Sequence, residues 1–241
     1  ELEQKIEALN RSNAELEQFA YVASHDLQEP LRKIRAFGSK LLMRHAEGLS
    51  QEGRTLIEKI EHSAARMQRL IDDLLSFSRL VRPVDARVPT DLNQVVQEVL
   101  NDLSETIQTQ HATVQLDKLP TLDAQPSQLR QLFQNLFSNA LKFSRSDITP
   151  IIRVSCQRVK GSQVPQASGR LRDPSYYQIT VSDNGIGFDP QYAEKIFVIF
   201  QRLHGRFEYT GTGIGLAVCK RVVANHQGFI EAQSTPGQGA T

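Results

Sequence analysis

Three short stretches, in this order, decide the fold of the chain: Asn135-Leu-Phe-Ser-Asn139-Ala-Leu-Lys142, Asp183-Asn-Gly185-Ile-Gly187 and Gly211-Thr-Gly213-Ile-Gly215-Leu216. The first predicts a helix with two amides and a cation on one face, because Asn139 follows Asn135 by one turn and Lys142 comes three residues later. Amide oxygens and an ammonium group are suited to holding Mg²⁺ and phosphate. This helix face is therefore a candidate site for a metal-bound phosphate.

The other two stretches supply complementary groups. The Asp183 carboxylate can accept from an exocyclic amine, and Gly185 and Gly187 give a flat base room to approach the backbone. The glycine-rich third stretch, which includes Thr212, leads into an apolar helix whose free N–H groups and dipole favour phosphate. Together the three stretches predict one site for adenine and a triphosphate tail.

Length and composition narrow the class of protein. The 241 residues are enough for two domains with separate cores, and 39% hydrophobic with 23% charged residues is typical of a soluble globular protein. A formal charge of +1 gives no reason to expect nucleic acid as a partner. No apolar run approaches the roughly 20 residues of a transmembrane segment and no signal peptide opens the chain, so we expect a cytoplasmic location. Cys156 and Cys219 lack metal-ligand spacing and are predicted to be reduced thiols.

A heptad pattern opens the chain. Its core positions are Leu2, Ile6, Leu9, Asn13, Leu16, Ala20, Ala23 and Leu27. This pattern predicts a parallel coiled coil over residues 1–18, in which a buried Asn13 fixes register and the dimeric state. The alternative is an amphipathic helix that packs on its own domain. The same phase continues through Ile34 and Leu41, so one long helix is predicted to run to about Arg44.

A second helix is predicted after the N-cap Ser50, and it carries two apolar stripes. One stripe consists of Leu56, Ile60, Ser63, Met67, Leu70, Leu74 and Phe77, and the other of Ile57, Ala64, Ile71 and Leu75. A helical hairpin alone cannot bury both stripes, so we expect two copies to form a four-helix bundle. Residues 19–82 are therefore predicted to be a dimerisation domain. Arg82-Pro83 ends the second helix, and residues 83–88 form a linker.

Residues 89–241 predict a two-layer α/β sandwich, so the fold class is an all-α domain followed by an α/β domain. Asp91 can cap a helix over 92–107, and Gly/Pro-rich residues 160–174 are predicted to be a hairpin loop or an insertion. The turn at 236–239 should lead into one more strand. The other predicted elements are strands 111–116, 151–156, 177–181 and 229–234 and helices 127–143 and 214–225.

The three stretches resemble the N, G1 and G2 boxes of the ATP-binding fold shared by sensor histidine kinases, DNA gyrase, MutL proteins and the ninety-kilodalton heat-shock chaperones. Residues 196–202 resemble the F box of the kinases, and the chain has neither a dinucleotide fingerprint nor a P-loop. The resemblance implies that Asn139 coordinates Mg²⁺, that Asn135 assists it and that Lys142 meets phosphate. It also implies that Asp183 accepts from the adenine amino group.

The remaining contacts implied by the resemblance are backbone contacts and lid cations. Room for the nucleotide would come from Gly185, Gly187, Gly211, Gly213 and Gly215, with Thr212 and Leu216 beside them. The lid over ATP would be residues 202–212, where Arg202 or Arg206 offers charge to the phosphates. The ATP-hydrolysing relatives place a glutamate at the position of Asn135. Because an amide cannot act as a general base, the resemblance implies phosphoryl transfer to an acceptor instead of hydrolysis.

The acceptor is predicted to be His25. Its surroundings, Ser24-His25-Asp26-Leu27-Gln28-Glu29-Pro30-Leu31-Arg32, resemble the H box of histidine-kinase dimerisation domains in its phytochrome-like variant. The heptad phase places His25 at an outward f position, where a neutral imidazole is a nucleophile at cytoplasmic pH. Asp26 can fix the tautomer of the ring, and Pro30 can kink the helix. Many family members carry Thr or Asn at the position of Glu29, so phosphatase activity toward a partner is left open.

The sequence thus indicates the core of a homodimeric sensor histidine kinase that uses ATP and Mg²⁺. Its partners would be an upstream sensor domain and the receiver domain of a response regulator, which takes the phosphoryl group on an aspartate. Two alternatives belong to other classes. A degenerate kinase would only dimerise and act as a scaffold, although His25, Asn139 and Asp183 are all present. A gyrase-type ATPase would need a glutamate at the position of Asn135.

Overall fold

The computed structural model describes residues 24, 26–44, 48–80, 87–161, 175–203, 209 and 211–241. The chain divides into two compact units, Glu1–Arg82 and Pro83–Thr241. The predicted coiled coil, residues 1–18, lies outside the described residues. The same is true of His25, Arg206, residues 83–86 of the predicted linker and most of the predicted hairpin loop.

The first unit contains two antiparallel helices, α1 (26–44) and α2 (Gln51–Arg79). Side-chain hydrogen bonds connect them, among them Gln28 Nε2 to Asp72 Oδ1 at 2.7 Å, Arg35 Nη1 to Gln68 Oε1 at 2.8 Å, and Ser39 Oγ to Glu61 Oε1 at 2.6 Å. The partner number on α2 falls as the number on α1 rises, which is the pattern of a hairpin. The predicted helical hairpin is therefore present, although α2 ends three residues before Arg82.

The N-terminus of α2 is capped as the sequence predicts. Ser50 has an extended backbone, and its Oγ accepts from the Gly53 N–H at 3.1 Å. We expect Ser50→Ala to lower the free energy of unfolding by about 1 kcal/mol, because one N–H of the first turn loses its partner. Thermal unfolding followed by circular dichroism measures this change. Ser50→Asp is the matched control and should retain the stability of the wild type, since Asp caps equally well.

The hairpin buries one apolar face and exposes another. Leu31 and Ala64 are buried between the helices, and Ile57, Ile71 and Leu75 are half-buried. Exposed apolar residues lie at the heptad positions of α1 and on the first stripe of α2; among them are Leu27, Ile34, Leu41, Leu56, Ile60 and Met67. A contiguous exposed apolar face of this kind marks a surface for association.

The second unit contains a three-stranded sheet in the order β2-β4-β5. Its strands are β2 (Thr113–Leu116), β4 (Ile151–Lys160) and β5 (Ser175–Asp183). β2 is parallel to β4, and β4 pairs with β5 as a hairpin from Ile152↔Asp183 to Lys160↔Ser175. A separate antiparallel pair joins β1 (Val88–Asp91) to β3 (Thr121–Ala124).

Helices and 3₁₀ turns complete the described part of the second unit. The helices are α3 (Leu92–Asp102), α4 (Ser104–Thr109), α5 (Pro126–Lys142) and α6 (Gly215–Asn225); the turns are Pro190–Tyr192 and Lys195–Phe197. α5 contacts α3, α6 and β5. The core is formed by side chains at most 2% exposed, including Val96, Val99, Phe133, Phe137, Ile152, Val154, Ile214 and Val222. This is the two-layer α/β arrangement that the sequence predicts.

Several predicted elements differ from the structure. The predicted helix 92–107 is broken at Leu103, because the buried residues of α3 hold it on the core whereas α4 has no buried residue. The strand predicted over 111–116 begins at Thr113, since His111 has a φ of 53° that does not fit an extended strand. The strand predicted over 229–234 is wrong. Within the described residues, its pairing is confined to Gln233 with Thr241 and Ser234 with Ala240.

Candidate functional site

Helix α5 presents the first of the three stretches. Pro126 occupies the first turn, where its missing N–H costs nothing. Phe133, Phe137 and Leu141 are buried in the core and fix the rotation of the helix. The three predicted ligand-binding residues lie on the adjoining face and are half-buried; they are Asn135, Asn139 and Lys142. Their side chains therefore lie at the boundary of the core, where a ligand can reach them.

The first and third stretches meet at two points. A Cβ at Gly215 would lie 3.4 Å from Asn135 Oδ1, so the glycine leaves room for the amide, which also hydrogen-bonds to the Cys219 thiol. A Cβ at Gly211 would lie 3.0 Å from Lys142 Nζ. The start of α6 and the residues before it are thus placed against the polar face of α5.

The first and second stretches meet at the carboxyl end of α5. The Ile186 N–H donates to the Phe143 carbonyl oxygen at 2.9 Å. A Cβ at Gly185 would lie 2.4 Å from the same oxygen, so any other residue there would clash with the backbone. The sequence predicts that this glycine makes room for a base. In the structure, the close neighbour of Gly185 is the chain itself, and the three predicted stretches converge at one place.

Asp183 lies at the end of β5, and its Oδ1 accepts from the Gly185 N–H at 2.8 Å and from the Ala240 N–H at 3.3 Å. Neither bond uses Oδ2, which can therefore accept from a ligand. Burial raises the pKa of the Asp183 carboxyl above its ordinary value, and the two backbone hydrogen bonds offset part of that rise. The carboxylate is thus both fixed in place and partly desolvated.

Position 213 of the third stretch favours a glycine, because its φ of 79° lies in the left-handed region. The Gly213 carbonyl accepts from the Phe200 N–H at 3.0 Å. Thr212 Oγ1 accepts from the Ile214 N–H at 3.4 Å, and Leu216 is half-buried in the first turn of α6. The N-cap of α6 is Ile214, which makes no side-chain cap hydrogen bond. The first turn of α6 therefore has no side-chain cap, and the N–H groups at the N-terminus of a helix favour an anion.

The electrostatics of the site are dominated by two cations. Lys142 Nζ lies 4.0 Å from the centroid of the Phe143 ring, and the Phe143 and Tyr209 rings lie 5.0 Å apart. The guanidinium of Arg202 donates to the carbonyl oxygens of Gly211 and Tyr209. Burial lowers the pKa of the Lys142 ammonium, and the charge of Arg202 lowers it further. A bound anion would stabilise both charges.

Three polar residues support the site although the sequence motifs do not assign them a role. Asn184 accepts from the Ile151 N–H at 2.8 Å and donates to the Thr149 carbonyl at 2.9 Å, which ties the second stretch to the start of β4. Ser234 accepts from the Phe188 N–H at 2.8 Å, and Arg145 donates to the Gly237 carbonyl at 2.9 Å. The signal available in the sequence was the Asn-Gly pair, since Asn favours local backbone bonds in turns.

The other predicted site residues are Asp26, His25 and Arg206. Asp26 is exposed on α1 in the first unit, and His25 and Arg206 lie outside the described residues. In the part of the chain that the structure describes, no cluster of three or more His, Cys, Asp or Glu side chains could hold a metal. The predicted Mg²⁺ ligands are amide oxygens, which are of the hard oxygen type that this ion prefers.

None of the described helices combines the length and the apolar character needed to cross a membrane.

Two family matches cover most of the chain. Residues 15–83 match the family described as the His Kinase A (phospho-acceptor) domain. Residues 124–241 match the family described as the histidine kinase-, DNA gyrase B- and HSP90-like ATPase. A phosphoacceptor domain followed by an ATPase domain of this kind defines the class: the chain is a histidine kinase core.

Sequence relatives place the chain more closely. It is 41% identical over 241 residues to the phytochrome-like protein Cph1 of Synechocystis sp. and 42% identical over 241 residues to cyanobacterial phytochrome A of Nostoc sp.. Each alignment covers 100% of this chain but 30% of the relative. The chain is therefore similar in sequence to the histidine kinase part of phytochrome-like proteins, and it spans less than a third of the length of these relatives.

Solved structures agree on the fold. Full-length ShkA in complex with AMPPNP aligns with a TM-score of 0.64 at 24% identity, over 92% of this chain and 44% of that one. Histidine kinase ThkA in complex with the response regulator protein TrrA aligns with a TM-score of 0.58 at 16% identity, over 95% of this chain and 62% of that one. At these identities the likeness shows the shared fold.

Proposed function

We propose that this chain autophosphorylates His25 from ATP·Mg²⁺ and passes the phosphoryl group to an aspartate of a response regulator. The observation that carries the proposal is the convergence of the three stretches, at Phe143 with Ile186 and at Lys142 with Gly211, in a chain whose N-terminal part matches a phosphoacceptor domain. The AMPPNP bound by ShkA and the response regulator bound by ThkA support the substrate and the partner.

Each group of the site has a proposed role. Asn139 would hold Mg²⁺ with help from Asn135, and the ion when bound would neutralise charge on the phosphates. Lys142 would contact the phosphates directly. The first turn of α6 and the glycines before it would donate backbone N–H groups to the triphosphate. Oδ2 of Asp183 would accept from the adenine amino group.

The transfer step involves few protein groups. A neutral ring nitrogen of His25 would attack the γ-phosphorus of ATP while the bond from that phosphorus to the bridging oxygen breaks and ADP leaves. Asp26 would accept from the other ring nitrogen and so stabilise the positive charge that develops on the ring. The proton lost from the ring is released to solvent after transfer. Catalysis would come mainly from positioning and charge neutralisation.

The exposed face of the hairpin supports the proposed homodimer. Ile34 is 41% exposed in the single chain, and it lies in line with Leu27 and Leu41. We expect Ile34→Lys to convert the dimer into a monomer with a folded hairpin, because the substitution places a charge in the proposed interface without touching the buried Leu31. Size-exclusion chromatography with light scattering measures the mass of the particle and so distinguishes a dimer from a monomer. Lys40→Gln, at an exposed position of α1, should remain dimeric, and a variant Ile34→Lys that is still a dimer contradicts the four-helix bundle.

The proposal also includes an upstream sensor domain and a cellular location. The relatives are phytochromes of about threefold greater length, which supports an upstream sensor domain whose signal reaches α1 through residues 1–18. We place the protein in the cytoplasm, where its ATP and receiver partner would be found.

The proposed activity is tested directly with γ-labelled ATP and Mg²⁺. The wild-type chain should acquire a label that resists alkali and is lost in acid, as expected of a phosphohistidine, and should lose it to an added receiver domain. Steady release of phosphate without a labelled protein would favour the gyrase-type ATPase. ATP binding with neither label nor hydrolysis would favour the scaffold.

A further inference from the structure

Arg202 makes an unusual pair of contacts beside the proposed nucleotide site. Its Nη1 donates to the Gly211 carbonyl at 3.0 Å and its Nη2 donates to the Tyr209 carbonyl at 2.6 Å. The two nitrogens of a guanidinium form a rigid planar fork that can hold two acceptors at once, whereas an ammonium group is a point charge on a flexible stem. The geometry therefore depends on an arginine at this position and not merely on a cation.

The two carbonyls belong to residues that contact the end of α5. A Cβ at Gly211 would lie 3.0 Å from Lys142 Nζ, and the Tyr209 ring lies 5.0 Å from the Phe143 ring. Lys142 and Phe143 are themselves in contact, with Nζ 4.0 Å from the ring centroid. The half-buried Arg202 side chain thus connects the two residues that lie against Lys142 and Phe143.

We propose that Arg202 is a positioning residue of the nucleotide site, which sets the backbone of Tyr209 and Gly211 against Lys142 so that the third stretch is ready for the triphosphate. This inference rests on the proposed function. It differs from the sequence prediction, in which Arg202 would offer its charge to the phosphates. In the structure the guanidinium is directed to two carbonyl oxygens, and the cation placed next to Gly211 is Lys142.

The charge of Arg202 also acts on Lys142. Arg202 lowers the pKa of the lysine in addition to the effect of burial. The Phe143 ring and Gly211, which also lie near Nζ, are uncharged. A bound phosphate would relieve the repulsion between the two cations. The charge of Arg202 and the geometry that it holds are therefore separate contributions, which substitution can distinguish.

Two substitutions separate geometry from charge. Arg202→Lys keeps the charge but cannot hold both carbonyls, and Arg202→Gln removes the charge. Because both lose the fork, we expect both to weaken ATP·Mg²⁺ binding by about tenfold, as measured by isothermal titration. Arg130 is the matched control, since it is exposed on α5 and pairs with Asp102. Arg130→Lys and Arg130→Gln should stay within about twofold of the wild type.

A second measurement needs no nucleotide. The titration of Lys142 is followed by NMR of protein labelled with ¹³C-lysine. Arg202→Gln should raise the pKa of Lys142, because a neighbouring cation is removed, whereas Arg202→Lys should leave it near the wild-type value. For Arg202→Lys we therefore expect an unchanged pKa of Lys142 together with a weakened affinity for ATP. Circular dichroism establishes that each variant is folded.

The outcomes are decisive. If Arg202→Lys binds ATP with wild-type affinity and Arg202→Gln binds it weakly, then Arg202 acts by its charge. That result would overturn the proposal. Wild-type affinity in both variants would overturn it as well. A wild-type chain that binds ATP without forming phosphohistidine contradicts the proposed function but leaves this test intact, because affinity and the Lys142 titration do not depend on transfer.

Discussion

His25→Gln is expected to form no phosphohistidine at all, while its affinity for ATP·Mg²⁺ remains that of the wild type. Glutamine matches the size of the imidazole approximately and can still form hydrogen bonds, but its amide has no nucleophilic nitrogen. The proposed acceptor and the proposed nucleotide site belong to different units of the chain. Binding and transfer should therefore separate completely in this variant.

The measurement combines labelling with γ-labelled ATP and titration of the same preparation with ATP·Mg²⁺. His62→Gln is the matched control, because His62 is exposed on α2 in the same unit and has no assigned role. It should be labelled like the wild type. Labelling of His25→Gln at a wild-type rate would show that another residue accepts the phosphoryl group, and would refute the assignment of His25.

The second large effect is expected for Asp183→Asn. The new amide must keep its oxygen toward the Gly185 and Ala240 N–H groups, which now contact Oδ1. Its NH₂ group then takes the place of Oδ2 and meets the adenine amino group, so that two donors face each other. Leaving a buried donor unsatisfied costs roughly 1–3 kcal/mol, and we expect the affinity for ATP to fall by about tenfold to a hundredfold.

A change of base distinguishes lost recognition from lost structure. Inosine carries a carbonyl oxygen where adenine has its amino group, so the NH₂ group of Asp183→Asn should donate to ITP. The variant should therefore bind ITP more tightly than ATP, the reverse of the wild type. Asp189→Asn is the control, since Asp189 is exposed and caps a 3₁₀ turn that Asn can cap equally well. An unchanged preference for ATP in Asp183→Asn would exclude Asp183 as the base-reading group.

The pH dependence follows from the raised pKa of Asp183. When the carboxyl takes up a proton, Oδ2 becomes a donor, so ATP affinity should fall on acidification at a higher pH than for an ordinary aspartate. The effect on stability has the opposite sign. An acid whose folded-state pKa is raised stabilises the fold at low pH, and this contribution is lost as the pH rises through the folded-state pKa. Asp183→Asn should thus be at least as stable as the wild type at neutral pH.

The sequence allowed the helical elements to be predicted because their signals are local. The Ser50 cap, the heptad positions of α1 and the two stripes of α2 depend on residues within a few turns of each other, and all of them are found in the first unit. Helix α5 was predicted for the same reason, and its bounds differ by one residue at each end. The mixed strand and helix patterns of residues 89–241 also sufficed to predict the α/β class.

The elements that were not predicted depend on distant partners. β1 and β3 are four residues each, and β1 contains Pro89, so neither shows a regular alternation; they are strands because they pair with each other. The same holds at the site. Nothing near Arg202 in the sequence indicates that its guanidinium meets Tyr209 and Gly211, and Asn184 is fixed by the chain at Thr149 and Ile151. The assigned roles of the site residues in binding ATP and Mg²⁺ remain predictions.

One buried group has a practical consequence for the chemistry of the protein. Cys219, on α6, is buried next to Asn135 of α5, and burial raises the pKa of its thiol to about 12. Oxidants and alkylating reagents attack the thiolate, which is almost absent at neutral pH in such a group, and the folded chain also shields the sulfur. In the folded protein, the Cys219 thiol beside the proposed nucleotide site is therefore unreactive toward peroxide and maleimides. A thiol-directed probe would enter the folded protein at the more accessible Cys156, on β4, and would report on the sheet while leaving the contacts of Asn135 intact.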